Sequence, residues 1–117
     1  NPQTKQIISQ AHNLVEQKKD PIAHAEILAI QSACQALNSK NLAGLDLYVT
    51  LQPCSMCFQA IYNARIRRVY FGAYDAVAAD NIVSVNDKIE VYGGVEEEEC
   101  KILLDKFFKT KRSPTKL

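Results

Sequence analysis

The sequence predicts one small domain of the α/β class, spanning residues 1–117, in which helices cover the faces of a single sheet. This length is enough for one hydrophobic core and too short for two. Between residues 45 and 73 a strand, a helix and a second strand follow one another, and strands joined in this way are expected to run parallel. An amphipathic helix precedes this unit and another helix follows it. Together these observations indicate a small α/β sandwich.

The first third of the chain is predicted to hold one strand and one helix. A short strand is expected over Lys5–Ser9, followed by a polar segment. Asp20 and Pro21 then set a turn and a helix start, because aspartate can cap a helix and proline is tolerated in its first turn. The helix is predicted over Ala23–Leu37. Apolar residues at three-to-four spacing along it indicate packing against a sheet.

The rest of the chain alternates strands with helices. The glutamates at the start of the last helix and the basic residues at its end match the helix dipole. In chain order the predicted elements are a strand over Leu45–Leu51, a helix from Pro53 to about Ala64, strands over Arg68–Ala73 and Lys88–Tyr92, and a helix over Val95–Lys111.

Composition excludes some classes of protein. A formal charge of +1 gives no whole-molecule field for nucleic acid, so attraction must come from local patches such as the basic residues after Asp105. No apolar run is long enough to cross a bilayer and no secretory signal opens the chain, so we expect a cytoplasmic protein without a membrane partner. In that compartment Cys34 and Cys100 would be reduced thiols in the core.

Two short motifs carry the chemistry: His24-Ala25-Glu26 and Pro53-Cys54-Ser55-Met56-Cys57. One imidazole and two thiolates without a fourth ligand are typical of a catalytic zinc site, in which water takes the last tetrahedral position. Cys54 and Cys57 are three residues apart at a helix start, where the dipole lowers thiol pKa values and their sulfurs share one face. Glu26 is then free to move protons to and from the water. The arrangement resembles that of the zinc-dependent base deaminases.

Other interpretations of the cysteine pair remain open at this point. Cys54 and Cys57 by themselves fit a redox pair or half of a structural zinc knuckle. A structural site needs a fourth protein ligand, and the remaining histidine, His12, could supply it. The position of Glu26 favours the catalytic site over both.

A wider resemblance rests on longer stretches of the chain. They closely resemble the TadA-type tRNA adenosine deaminases of the cytidine and deoxycytidylate deaminase superfamily. The zinc motif identifies only the superfamily, whereas the stretch from residue 65 to 75 and the paired phenylalanines near the basic tail indicate the tRNA branch. The matching stretches are residues 20–30, residues 47–57, Ala60-Ile61, Arg65-Ile66-x-Arg68-Val69 and Phe71-Gly72-Ala73-x-Asp75.

The resemblance implies a three-layer α/β/α sandwich with a central mixed sheet and helices on both faces. It implies hydrolytic deamination of the wobble adenosine in a tRNA anticodon stem-loop by a homodimer with one Zn²⁺ per subunit. Its ligands would be His24, Cys54 and Cys57, and Glu26 the catalytic proton shuttle. Further expected contacts are Asn13, Ala25, Pro53 and Asp75 with the substrate, and Phe107, Phe108, Lys109, Lys111 and Arg112 with RNA. Without the family, Asn13 would be a turn residue and Asp75 a loop cap.

Three features depart from the family pattern. Family members carry a helix and a strand ahead of the position matched by Asn1, so both are expected to be absent from this chain. The stretch from Tyr74 to Asp87 is short for a crossover between parallel strands. Gln52 stands where glutamate is usual, which removes a charge beside the site but no ligand.

Two other functions stay open. One is a zinc-dependent deaminase of a free base or nucleotide, such as guanine, cytosine or deoxycytidylate. The basic tail argues against it, because a free base does not need such a tail. The other is a non-catalytic subunit that retains zinc and serves RNA binding or dimerisation.

Overall fold

The computed structural model describes residues 1–75 and 89–112, and for 107–112 only the backbone. The predicted α/β class is confirmed. In chain order the elements are α1 (Val15–Lys18), α2 (Ala25–Leu37), β1 (Asp46–Leu51), α3 (Ser55–Asn63), β2 (Arg68–Ala73), β3 (Glu90–Tyr92) and α4 (Glu97–Arg112).

The three strands form one sheet in the order β1-β2-β3, and both pairs are parallel. The predicted parallel pair is therefore confirmed, with Asp46 opposite Arg68 and Leu51 opposite Ala73. The described part of the sheet holds no antiparallel strand, so the mixed sheet implied by the family resemblance is not seen there. Because parallel strands end at the same edge, the segments that follow β1 and β2 come together.

Helices cover both faces of this sheet. On one face, Val69 of β2 packs in a buried cluster with Ala33 of α2 and Ile61 of α3. Gly72, three residues further along β2, points to the opposite face. A Cβ atom at Gly72 would lie 2.2 Å from the sulfur of Cys100 in α4, so the absence of a side chain lets α4 approach the sheet.

Three tyrosines form a row across the strands, which we call the tyrosine row: Tyr48 of β1, Tyr70 of β2 and Tyr92 of β3. They occupy matching register positions. Their rings stack with centroid separations of 4.7 Å and 5.1 Å. The outer members are 69% and 45% exposed, so the row lies at the surface of the sheet.

The strand predicted over Lys5–Ser9 is wrong. These residues are irregular, and a cavity of about 760 Å³ that they line separates them from β1. A strand needs a hydrogen-bonded neighbour, and the sheet of the described residues consists of β1, β2 and β3. The segment packs on α2 instead, where the Ser9 hydroxyl donates a hydrogen bond to the Ala29 carbonyl at 2.8 Å.

The observed helix boundaries differ from the predicted ones. The helix predicted from Ala23 begins at Ala25 and has His24 as its N-cap. Asp20 does not cap it, because its carboxylate accepts the Ile22 amide at 3.0 Å within the preceding turn. The polar segment before that turn holds the one-turn helix α1, which the sequence analysis did not predict.

The last helix begins at Glu97, two residues later than predicted. Lys101 forms ion pairs with Glu97 at 3.0 Å and Glu98 at 3.9 Å, which supports a stabilising role for this charge run. The short crossover after Tyr74 falls mostly outside the described residues. Among the described helices, none combines the length and the apolar composition that a membrane span requires.

Candidate metal centre

Three side chains from separate parts of the chain meet at one point: His24, Cys54 and Cys57, hereafter the ligand cluster. Their ligand atoms all lie within 4.8 Å of one another. The Nδ1 atom of His24 is 3.8 Å from the sulfur of Cys54 and 3.6 Å from that of Cys57. In a tetrahedral zinc site, bonds of about 2.1 Å to nitrogen and 2.3 Å to sulfur place these atoms about 3.6 Å apart. The donor set and its spacing therefore fit zinc.

Local structure explains how the cluster forms. Cys54 is the N-cap of α3 and Cys57 lies in its first turn, so both sulfurs are carried by one helix start. His24 occupies the same position on α2, where its extended backbone (φ −70°, ψ 149°) turns the chain into the helix. Both helices thus begin at the ligand cluster. Pro53 lies one residue before the N-cap rather than inside the helix as predicted.

Burial affects the charge state of Cys57. Cys57 is 0% exposed, and burial, followed by the negative charge of Glu26 and by Cys54, raises its thiol pKa far above the ordinary value. Without a metal, these effects act against the lowering of the thiol pKa that the sequence analysis expects from the helix start. A divalent cation would offset them and stabilise the thiolate.

Glu26 lies next to the ligand cluster without belonging to it. It is in the first turn of α2 and is half-buried. After burial, its negative charge is the next cause of the raised pKa of the Cys57 thiol, which places its carboxylate close to that ligand. Glu26 and Ala25 also line the cavity of about 760 Å³ beside Lys5–Ser9, but the lining of that cavity does not include His24, Cys54 or Cys57.

The two predicted substrate contacts outside the motifs lie on segments tied to the ligands. The Leu14 amide, next to Asn13, donates to the Ala23 carbonyl at 2.9 Å, directly before His24. The Asp75 amide donates to the side-chain oxygen of Gln52 at 3.0 Å, two residues before Cys54. Both segments are thereby held beside the ligand cluster.

The remaining predicted residues divide into three groups. The side-chain oxygen of Asn13 accepts the Val15 amide at 2.9 Å, so it also serves as the turn residue considered above. Pro53 is fully buried, whereas His12 is exposed and does not belong to the metal-binding group found among the described residues. The predicted RNA contacts lie in α4, but their side chains fall outside the described residues: Phe107, Phe108, Lys109, Lys111 and Arg112.

Gln52 is the residue that the sequence analysis left without a role. Its polar side chain is buried, with 8% of the residue exposed. The available signal was a polar residue between the apolar end of β1 and Pro53. No sequence pattern shows, however, that its partner is the amide of Asp75, 23 residues further along the chain.

Comparison with known proteins adds independent findings. Residues 2–73 match the family described as the cytidine and deoxycytidylate deaminase zinc-binding region. A protein named tRNA-specific adenosine deaminase from Aquifex aeolicus is 46% identical over 116 residues, an alignment that covers 92% of this chain and 76% of that protein.

Two solved structures are similar in fold and sequence. One comes from studies of A-to-I editing by tRNA:A34 deaminases at the wobble position of transfer RNA. It shares 40% identity and a TM-score of 0.73, covering 84% of this chain and 77% of that one. The other is guanine deaminase from Bacillus subtilis, with 38% identity and a TM-score of 0.61, covering 71% of this chain and 52% of that one.

Proposed function

Because the chain belongs to the cytidine and deoxycytidylate deaminase family, in its branch of tRNA-specific adenosine deaminases, we propose that it converts the wobble adenosine of a tRNA anticodon loop to inosine. The reaction consumes water and releases ammonia. Relatives at 38–46% identity that carry this name support the proposal, as does the structural neighbour from the study of tRNA:A34 deaminases.

The observation that carries the proposal is the meeting of three metal ligands with a carboxylate that is not one of them. His24, Cys54 and Cys57 supply one nitrogen and two sulfurs, which leaves a tetrahedral ion one position for water. Glu26 of α2 lies close enough to Cys57 for its charge to raise the pKa of that thiol. A structural zinc site would need a fourth protein ligand, and the metal-binding group among the described residues does not contain one.

His24, Cys54 and Cys57 would hold the zinc ion, which would supply a water molecule able to attack carbon at neutral pH. Glu26 accepts the proton that this water loses and delivers it to N1 of the purine, which makes C6 electrophilic. The water oxygen adds to C6 as a hydroxyl group. Glu26 then moves the remaining proton of this hydroxyl to the exocyclic nitrogen, the bond from C6 to that nitrogen breaks, and ammonia leaves while C6 becomes the carbonyl of inosine.

The test uses the zinc-loaded chain and a synthetic anticodon hairpin with adenosine at the wobble position. We expect inosine at that position and an equal amount of ammonia, measured by mass spectrometry of the digested hairpin and by an ammonia assay. A matched hairpin with guanosine at the wobble position and adenosine elsewhere in the loop is the control. Equal conversion of the control adenosine, or no conversion of either hairpin, would contradict the proposal.

A second candidate is deamination of a free base, favoured by the likeness to guanine deaminase from Bacillus subtilis. The same zinc and glutamate chemistry would serve it. Incubation of the protein with free guanine, in parallel with the hairpin, separates the two candidates. Xanthine formation together with an unchanged hairpin would replace the tRNA proposal with this one.

We further propose that the chain acts as a homodimer in the cytoplasm with a tRNA anticodon stem-loop as its partner. The homodimer follows from the family resemblance, and four free cysteines among the described residues suit a reducing compartment. Light scattering on the zinc-loaded protein should give twice the chain mass. The mass of a single chain at micromolar concentration would reject the dimer.

A further inference from the structure

The end of β1 carries a side-chain hydrogen bond that neither the zinc chemistry nor the sheet requires. The backbone ladder between β1 and β2 continues one step beyond Leu51, because the Gln52 amide donates to the Ala73 carbonyl at 2.9 Å. The side-chain oxygen of Gln52 then accepts the Asp75 amide at 3.0 Å. One residue thus holds two successive points of the chain that leaves β2.

The position of Gln52 links this chain to the metal ligands. Gln52 precedes Pro53 and Cys54 directly, and Pro53 is fully buried, so there is little freedom between Gln52 and the ligand. Any movement of Asp75 relative to Cys54 must therefore break or bend this hydrogen bond. Asp75 is the residue predicted to contact substrate at the mouth of the site.

The chemistry of the residue fits this task. The buried side-chain oxygen of Gln52 accepts a backbone N–H, so its need for a hydrogen-bond partner is met inside the protein. A buried polar side chain that lost its partner would also be unfavourable, which keeps the hydrogen bond formed. The bond is therefore expected to persist in solution.

We propose that Gln52 is a positioning residue that sets substrate affinity by fixing Asp75 at the mouth of the site. This inference rests on the proposed function. Gln52 acts through Asp75 and not on the reacting atoms. Its loss should therefore raise KM for the hairpin and leave kcat and zinc content unchanged.

The kinetic test compares three variants of Gln52 in the zinc-loaded protein. Gln52→Met keeps the length of the side chain but has no oxygen, and we expect KM to rise about fivefold, as for one neutral hydrogen bond. Gln52→Asn shortens the side chain, which moves its carbonyl away from the Asp75 amide, and should also raise KM. Gln52→Glu retains an acceptor, so its KM should stay within about twofold of the wild-type value. Gln59→Met, the same change at an exposed position of α3, is the matched control.

A second measurement does not depend on activity. Hydrogen exchange of the Asp75 amide should be about tenfold faster in Gln52→Met than in the wild-type protein and unchanged in Gln59→Met. Unchanged exchange would show that the hydrogen bond does not exist in solution. Faster exchange with an unchanged KM, or a fall in kcat or zinc content in place of the rise in KM, would also overturn the proposal. If the wild-type protein shows no turnover, the proposed function fails, and the exchange rate still reports on the bond.

Discussion

The ligand cluster and the tyrosine row differ in how their members interact in the folded chain. At the ligand cluster, burial, followed by the charge of the neighbouring Glu26 and by Cys54, raises the pKa of the Cys57 thiol. In the tyrosine row, three rings stack at 4.7 Å and 5.1 Å, and each contact is favourable by itself. The first group needs an added cation to reach its stable charge state, whereas the second is complete. Chemistry should therefore depend on the first group, whereas the second group should contribute to stability alone.

The largest expected effect separates chemistry from metal binding. Glu26→Gln should lower the rate of inosine formation about 10²-fold to 10⁴-fold, because it removes the group that transfers both protons. Zinc content should be unchanged, since Glu26 is not a ligand. Hairpin deamination and metal analysis measure the two quantities.

Glu16→Gln in the exposed first turn of α1 is the matched control and should behave as wild type. Full activity of Glu26→Gln would remove the proton-transfer role of Glu26 from the mechanism.

The next largest effect is the loss of stability when the cation is removed. A chelator should lower the apparent free energy of unfolding by about 3 kcal/mol if zinc is present at a hundred times its dissociation constant. Cys57→Ser should abolish this response, because it removes one of the three ligands. Cys34→Ser exchanges a half-buried thiol outside the cluster and should keep the response. An equal chelator effect in both variants, measured by urea denaturation, would place the metal elsewhere.

Substitutions in the tyrosine row should affect stability without affecting chemistry. Tyr70 stacks on two rings and Tyr48 on one, so Tyr70→Ala should lower the free energy of unfolding by about 2 kcal/mol and Tyr48→Ala by about 1 kcal/mol. Urea denaturation of both variants gives these values. The rate per zinc-loaded folded molecule should match wild type. Equal losses for both tyrosines would show that the stacking contacts do not add along the row.

The smallest effect is a dependence of stability on pH in the metal-free protein. Folding raises the pKa of Cys57 above its ordinary value of 9.0, so the folded state holds this proton more tightly than the unfolded state. The resulting stabilisation is fully present below 9.0 and is lost as pH rises above it, by about 1 kcal/mol at pH 10. Denaturation of the metal-free wild type and of metal-free Cys57→Ser, each at about pH 8 and pH 10, isolates the contribution of Cys57 to the free energy of unfolding. A loss of the same size in Cys57→Ser would assign it to other groups.

Much of the architecture could be predicted from sequence because its signals are local. The strand over Arg68–Ala73 was predicted to the residue, since apolar and β-branched positions mark it directly. The strand at Lys5–Ser9 was wrong because a strand exists only with a neighbour, and the pattern of five residues carries no information about one. The start of α2 was missed by two residues because its N-cap position is held by His24, whose side chain makes no capping hydrogen bond that a sequence rule could detect.

The candidate site shows the same division between features that local sequence signals predict and features that depend on tertiary contacts. By itself, the sequence determined the chemical nature of the ligands and of the spare carboxylate, because two short motifs contain all four residues and their types define a catalytic zinc site. Only the tertiary structure decided that α2 and α3 both begin at the ligand cluster, that burial raises the pKa of the Cys57 thiol, and that the Gln52 side chain accepts the Asp75 amide. These facts depend on distances between residues far apart in the chain, and such distances follow from packing and not from local pattern.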